Sequence, residues 1–422
     1  MSYFRINIFL SVKNFFNALF NFKNEKKYDS TIKKLILKNI NKKNVSLTSQ
    51  CRISFLYILM YLKEKFQGKN EIIFCSYNLP EMINIARNLH LKITFCDLEY
   101  KTGFYNLSKL KRKLSKKTCA VVLTNMFNSY EQSLKIKKIC KKHNIFLIED
   151  NAIYFDNYKI YKNKKFFSGS IGDFSIYSFN IMKNISALYG GAVASNIKDF
   201  HNYLNNESSQ LKNFNKIVLF KQIIIFFILK IMSINFLYRH LFLKLVRHAH
   251  IKNIHTFLNL FYPSLKFKII KFPQYYFANI SLFSKKLIFG QITENEKRKD
   301  NHKKRKQKNI YYYKKFKKIK VNKIIFIKIS DFNYQNFLDF PLLVKNKKKL
   351  NNFLLSKGIE TRSYHYRNCE KIFYKKNKLA CLNSEKYENE IICFPNHNKI
   401  SLKYMDYIVK MVSIFYLNNY DR

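Results

Sequence analysis

Residues 46–196 alternate between two hydropathy patterns, and that alternation leaves few architectures open to the chain. Short apolar runs recur: "EIIF" at 71–74, "KITFC" at 92–96, "AVVLT" at 120–124 and "IFLIED" at 145–150. Between them lie stretches of helical character, such as "LPEMINIARNLH" at 79–90 and "SLKIKKICKKHN" at 133–144. Strands buried on both faces and separated by helices predict an α/β fold with a mostly parallel sheet covered by helices. Such sheets bind ligands beyond the carboxyl ends of their strands, so the residues just after each run are the candidates for chemistry. Further on, "FPLLVKNKKKLNNFLLSKGIETR" at 340–362 reads as strand, helix and turn, and 401–418 as a terminal helix, which predicts a smaller C-terminal α/β domain. The layout expected is an N-terminal arm over 1–45, a large domain over 46–215, an apolar helical insertion over 216–275, and a long helix with the small domain over 276–422.

The formal net charge of +52 invites a reading as attraction to nucleic acid, anionic lipid or phosphorylated substrates. Trp is absent and Gly and Pro are scarce, while Tyr and Phe number 30 and 41, so the lysine excess reads instead as part of a chain-wide skew at exposed positions. The densest basic tract, 297–323, holds fourteen Lys and Arg with interleaved tyrosines, and is expected to be a long exposed helix followed by a linker rather than a specific nucleic-acid element. The block 216–247 is intensely apolar but interrupted by Lys221, Lys230 and Arg239. Three readings stay open for it: core or dimer-contact helices, a membrane-surface element, or a membrane span. The eight cysteines include no CxxC pair, so no metal site is expected, and reduced thiols suit a cytoplasmic protein. Arg5 and Lys13 break the apolar N-terminal stretch, which does not read as a signal peptide.

Four of only eight glycines fall within 169–191. Glycine permits close backbone approach to a ligand, so a cluster in a glycine-poor chain suggests tight turns around something bound. Asp150 ends the run "IFLIED", where a carboxylate could pair with a cationic ring nitrogen, hold a metal, or simply cap a helix. Ser178 ends the run "FSIY", where a hydroxyl could donate to a phosphate or serve as an ordinary polar strand end. Lys183 is the sole charge between Phe174 and Ala194. Apolar surroundings penalise an ammonium and lower its pKa, and a neutral amine is what Schiff-base chemistry requires; the plain alternative is a lysine snorkelling to the surface.

Taken together, an acid after one strand, "GD" before the next, a serine, a lysine five residues on and a glycine pair form a pattern. Residues 145–196 resemble the sugar aminotransferases of the DegT/DnrJ family through Glu149-Asp150, Gly172-Asp173, Ser178-Phe179, Lys183 and Gly190-Gly191. The segments "SLTSQCRISFLYIL" at 46–59, "CSYNLP" at 75–80, "FCDLEY" at 95–100, "DFPLLV" at 339–344, "KGIETRSY" at 357–364 and "FPNH" at 394–397 extend the likeness. The resemblance implies a fold-type-I aminotransferase-like architecture and pyridoxal 5'-phosphate held covalently on Lys183. It further implies that Asp150 pairs with the pyridinium nitrogen, and that Ser178, Arg52 and the backbone near Cys51 hold the phosphate. The implied partners are an amino donor such as glutamate, a nucleotide-linked keto sugar destined for surface polysaccharide or glycoconjugate, and a second copy of the chain in a homodimer.

Some positions depart from the family pattern. Ile153 stands where Gln or His is common, Leu79 where many members stack an aromatic residue, Cys51 where a glycine is usual, and "NMFN" at 125–128 replaces H-x-F/Y-G. They leave a second reading, in which the fold persists as a binding or scaffold protein without transaminase activity. Members that carry His in place of the lysine dehydrate sugars, and Lys183 points away from that branch.

Overall fold

The computed structural model describes residues 2–20, 25–127, 130–153, 155, 158–161, 164–252, 254–258, 272–273, 276–328, 337–363, 366–374 and 380–418. Seven strands form the main sheet: β1 (Asn44–Thr48), β2 (Glu71–Cys75), β3 (Lys92–Cys96), β4 (Thr118–Thr124), β5 (Phe146–Asp150), β6 (Phe174–Ser178) and β7 (Gly191–Ser195). Their order across the sheet is β1-β7-β6-β5-β4-β2-β3. Only β7 runs antiparallel to its neighbours, β6 and β1; the pairs β6-β5, β5-β4, β4-β2 and β2-β3 are parallel. Every residue of β2, β4, β6 and β7 is buried, as continuous apolar runs predict for a sheet covered on both faces.

One face is covered by the helices Cys51–Lys65 and Pro80–Asn88, whose inward residues join Ile72, Phe74, Val122, Ile148 and Val193 in a single apolar cluster. The other face packs against the C-terminal region. Ile73, Leu123 and Leu147 share a cluster with Leu342, Ile392 and Ile408, so the large sheet and the small domain are joined by continuous core. The small domain is a three-stranded antiparallel sheet of Ile324–Ile325, Phe340–Val344 and Ile391–Phe394, packed with helices Lys347–Ser356 and Leu402–Leu417. A two-residue pairing of Tyr77–Asn78 with Arg367–Asn368 stitches it to the end of β2.

The basic tract forms the helix Asn295–Lys317. It is not exposed all round, as its charge suggested. Arg305, Asn309, Tyr312 and Phe316, spaced four, three and four apart, form a buried stripe. Phe316 stacks on Phe340, and Tyr312 meets both Phe340 and Phe394. The lysines occupy the remaining surface. Residues 216–251 form two helical stretches that meet at 80°. Among the described residues no single helix is long and apolar enough to cross a membrane. Part of the expected insertion, 253, 259–271 and 274–275, and Asn128 of the "NMFN" run lie outside the described residues.

Candidate active site

The carboxyl ends of β5 and β6 and the start of β7 meet beside the N-terminus of helix Cys51–Lys65. Gly191 faces Ser178 across one ladder and Thr48 across the other. A Cβ on Gly191 would stand 2.4 Å from the Cys51 nitrogen and 2.4 Å from the Gln50 carbonyl carbon. The helix start therefore seats directly on the strand backbone, and glycine is the residue that allows it. Gln50 sits at the N-cap position, and no side chain caps this helix. The first N–H groups of a helix have no partner within it and carry the positive end of its dipole. Ser49 Oγ and Gln50 Nε2 are buried there with no hydrogen-bond partner among the described residues. A buried hydroxyl and amide left open cost stability, which marks this corner as built to receive an acceptor.

Asp150 closes β5 and is buried. Its Oδ1 accepts one hydrogen bond, 3.0 Å from the Ala152 N–H. Burial raises the affinity of this carboxyl for a proton, opposed by that N–H and by the charge of Lys183. Lys183 hangs from the loop between β6 and β7. The loop is fixed from several sides: Lys183 N–H donates to Asn180 O at 2.9 Å, and Ala187 N–H to Phe179 O at 2.7 Å. Gln291, from helix Leu282–Thr293, accepts from Ser186 N–H at 3.0 Å and returns a bond to Ser186 O at 2.7 Å. Part of the Lys183 side chain keeps an opening to solvent, but the amine lies deep. Desolvation pulls its pKa from 10.5 down to about 8; Cys51 and Asp150 pull it up, while Arg362 and Arg52 push it lower.

The amine of Lys183 and the carboxylate of Asp150 are both buried, and each feels the charge of the other. Cys51 is the third member. Its thiol is pushed well above its usual pKa, first by burial and then by Asp150, with Lys183 and Arg52 opposing. Ser178 Oγ stands at the β6 end and accepts weakly from Asn180 N–H at 3.4 Å. Arg52 has a different placing from the one expected. Its guanidinium is 2.7 Å from Glu81 and donates to the Tyr276 hydroxyl at 2.7 Å, so it pins the helix start and reaches the site as a field. Two family-pattern residues prove architectural. Glu149 Oε2 accepts from the N–H groups of Ile171 and Gly172, and Asp173 accepts from Leu147 N–H and pairs with Lys137.

Sequence reading missed Arg362. It lies in "KGIETR"; its backbone pairs with Cys393 of the small sheet, and its charge is felt at Lys183. Arg362 also lines a small cleft beside the loop that carries the lysine, shared with Arg5, Met182, Arg305, Asp339 and His397. Asp339 stands 3.3 Å from Arg362 and 3.8 Å from Arg5, and Arg305 donates to Asn184 at 3.0 Å. Burial drops the His397 pKa to about 3, so the imidazole is neutral and the lining is net cationic. Leu79 sits half-buried at the start of helix Pro80–Asn88, donating its N–H to Asn78 Oδ1, and offers no aromatic face.

The sequence comparison covers both the large sheet and the small domain. The DegT/DnrJ/EryC1/StrS aminotransferase family matches residues 27–215 and 294–413. The chain belongs to that family. Individual relatives are distant. The chain is 30% identical over 128 residues to GDP-perosamine synthase of Escherichia coli O157:H7, covering 29% of this chain and 34% of the relative. It is 31% identical over 147 residues to UDP-4-amino-4,6-dideoxy-N-acetyl-beta-L-altrosamine transaminase of Campylobacter jejuni, covering 34% and 36%. The matched segments span about a third of each of these relatives. The fold carries much further. Helicobacter pylori PseC, described as an aminotransferase of pseudoaminic acid biosynthesis, superimposes with a TM-score of 0.70 at 16% identity, over 99% of this chain and 100% of that one. The match to the family stops at 215 and resumes at 294, so the bent helices of 216–251 lie outside the matched residues.

Proposed function

We propose that the protein is a pyridoxal 5'-phosphate-dependent sugar aminotransferase, acting as a cytoplasmic homodimer on a nucleotide-linked keto sugar. What supports the reading is that the buried Lys183 amine and the buried Asp150 carboxylate each feel the other's charge, Asp150 at the end of β5 and Lys183 in the loop after β6. The residues present fit the cofactor. The helix start at Cys51, the open Ser49 and Gln50 donors and the Ser178 hydroxyl suit a phosphate, and the buried Asp150 lacks a cation in direct hydrogen-bond contact among the described residues. When bound, pyridoxal 5'-phosphate supplies a carbonyl that takes up amines and a ring that withdraws electrons from the neighbouring carbon.

The chain's own residues do the rest. With a pKa of about 8, a substantial share of Lys183 is neutral near physiological pH, so it is ready as a nucleophile and as the group that moves a proton at the substrate carbon. Asp150 would pair with the ring nitrogen and hold a proton on it. The guanidinium groups of Arg5, Arg305 and Arg362 line the adjoining cleft and favour anionic substrate parts: the carboxylates of a donor such as glutamate, or the diphosphate of a nucleotide sugar. The product is suited to surface polysaccharide or glycoconjugate synthesis.

The test is to load the protein with cofactor and follow its visible absorbance as glutamate is added, with nucleotide-linked keto sugars then supplied and products read by mass spectrometry. A shift on glutamate, reversed by one sugar and abolished in Lys183→Ala, is expected. Stable cofactor binding without any such shift would leave the alternative, a family fold retained for binding; Ile153, half-buried and without a polar group, stands in its favour.

A further inference from the structure

The two bent helices outside the family's shared residues present a surface that the aminotransferase site does not use. On helix Lys216–Met232 the inward residues Gln222, Phe226, Leu229 and Met232 are buried. Phe226 stacks on Phe15 of helix Val12–Phe20, with ring centroids 5.3 Å apart. The opposite face is also apolar. Ile217, Phe220, Ile224, Ile228 and Ile231 follow a helical repeat of three and four and are all exposed, Phe220 by 61%. After the 80° bend, Phe236 is 70% exposed, and Leu241, Leu245 and Ile251 are exposed along the second arm. Helix Val12–Phe20 adds Phe16, Leu19 and Phe20. An exposed apolar surface of this extent marks an interaction site.

Charge identifies the partner. Residues 208–293 contain thirteen Lys and Arg and no Asp or Glu. Lys216, Lys221, Arg239, Lys244, Arg247 and Lys252 are exposed around the apolar stripes. A second copy of the chain docking through a two-fold contact would bring this surface against itself, cation against cation. An anionic lipid surface meets both demands, taking the apolar stripe among the acyl chains and the lysines at the headgroups. Neither arm is long enough to span alone: the longer has 17 residues, about 25 Å of helix at 1.5 Å per residue, against about 30 Å of hydrocarbon. Two axes that meet at an angle define a plane, so both arms can lie along one surface.

We infer that residues 216–251, together with helix Val12–Phe20, form a monotopic docking surface for an anionic bilayer. The test is sedimentation of the full chain with vesicles of phosphatidylglycerol and phosphatidylcholine, and with phosphatidylcholine alone. The quadruple variant Ile217→Ser/Phe220→Ser/Ile224→Ser/Ile228→Ser keeps every charge and changes only exposed side chains; circular dichroism and thermal melting check its fold. Wild type is expected to pellet with the anionic vesicles and to keep at least a tenth of that binding in half-molar salt. The variant is expected to lose tenfold or more at every salt concentration. Equal binding by the variant would assign the attraction to net charge alone and overturn the inference. So would wild type left in the supernatant, or a wild-type dimer, measured by analytical ultracentrifugation without lipid, that dissociates in the variant.

Discussion

Gly191→Ala tests the construction of the site without touching any group that performs chemistry. The added Cβ would lie 2.4 Å from the Cys51 nitrogen, 2.4 Å from the Gln50 carbonyl carbon and 2.8 Å from the Cys51 Cα. Ordinary contact begins at 3.4 Å, so about 1 Å of separation must be made. β7 cannot yield easily, because Gly191 is paired on both sides, to Ser178 and to Thr48. The helix start must move instead. Forcing atoms into a packed site costs about 1–3 kcal/mol. The same displacement carries the helix N–H groups, Ser49 and Gln50 away from where a phosphate would sit, and a misplacement of about 1 Å costs on the order of 100-fold in rate. The assay pairs cofactor titration, followed by absorbance, with urea unfolding. Gly290→Ala is the control: nothing lies within 4 Å of its added Cβ, and a helical Gly→Ala change should stabilise by about 1 kcal/mol. If Gly191→Ala binds the cofactor within twofold of wild type and unfolds at the same urea concentration, the cradle assignment fails.

Asp150→Asn should keep the fold, since Asn still accepts from Ala152 N–H. It should reduce transamination by roughly 100-fold or more, because breaking a buried charge pair costs about 3–5 kcal/mol; turnover within threefold of wild type would refute the pairing. Lys183 gives a pH signature in the cofactor-free protein. Its folded pKa of about 8 lies below the usual 10.5, so between these values the unfolded chain binds the extra proton and stability rises with pH. The stability of wild type relative to Lys183→Met should therefore climb from pH 8 to 10, and a flat difference in urea midpoints would contradict it. Phe316→Ala should destabilise by about 3–5 kcal/mol, since this buried ring lies against Phe340 and Phe394; a loss below about 1 kcal/mol in urea unfolding would mean the basic helix is only loosely docked.

The central strands were legible because their physics is local. A run such as "AVVLT" can be satisfied only inside a covered sheet, and the structure places it as β4, buried throughout. Lys183 was legible for a related reason: in a chain with 78 basic residues, the absence of any other charge between Phe174 and Ala194 is itself a signal of burial. Arg362 and the open donors of Ser49 and Gln50 were not legible. Their role depends on which distant segment folds against them, and one arginine among many carries no mark of its surroundings. The basic helix was misjudged in one respect for the same reason. Its buried stripe of Arg305, Asn309, Tyr312 and Phe316 mixes polar and aromatic residues, so no apolar repeat announced it.

The lysine excess and the buried amine of Lys183 follow from one electrostatic rule applied in two settings. An exposed ammonium is stabilised by water and tolerates like-charged neighbours, which salt screens over about 8–10 Å. Along the outer faces of helix Asn295–Lys317 the charge therefore stays unremarkable. Lys183 has lost that water, and Arg362 and Arg52 add to the loss from two different parts of the fold. Asp150 and the Cys51 thiol oppose the shift without cancelling it, so the amine is weakly basic while the carboxyl beside it holds its proton more firmly than usual. Both shifts lower the charge buried at these two groups. Under the proposed function a phosphorylated, cationic ring would reverse the requirement, its phosphate answering the helix start and its ring nitrogen answering Asp150. The same burial that weakens both charges thus favours a ligand that brings its own anion and cation to them.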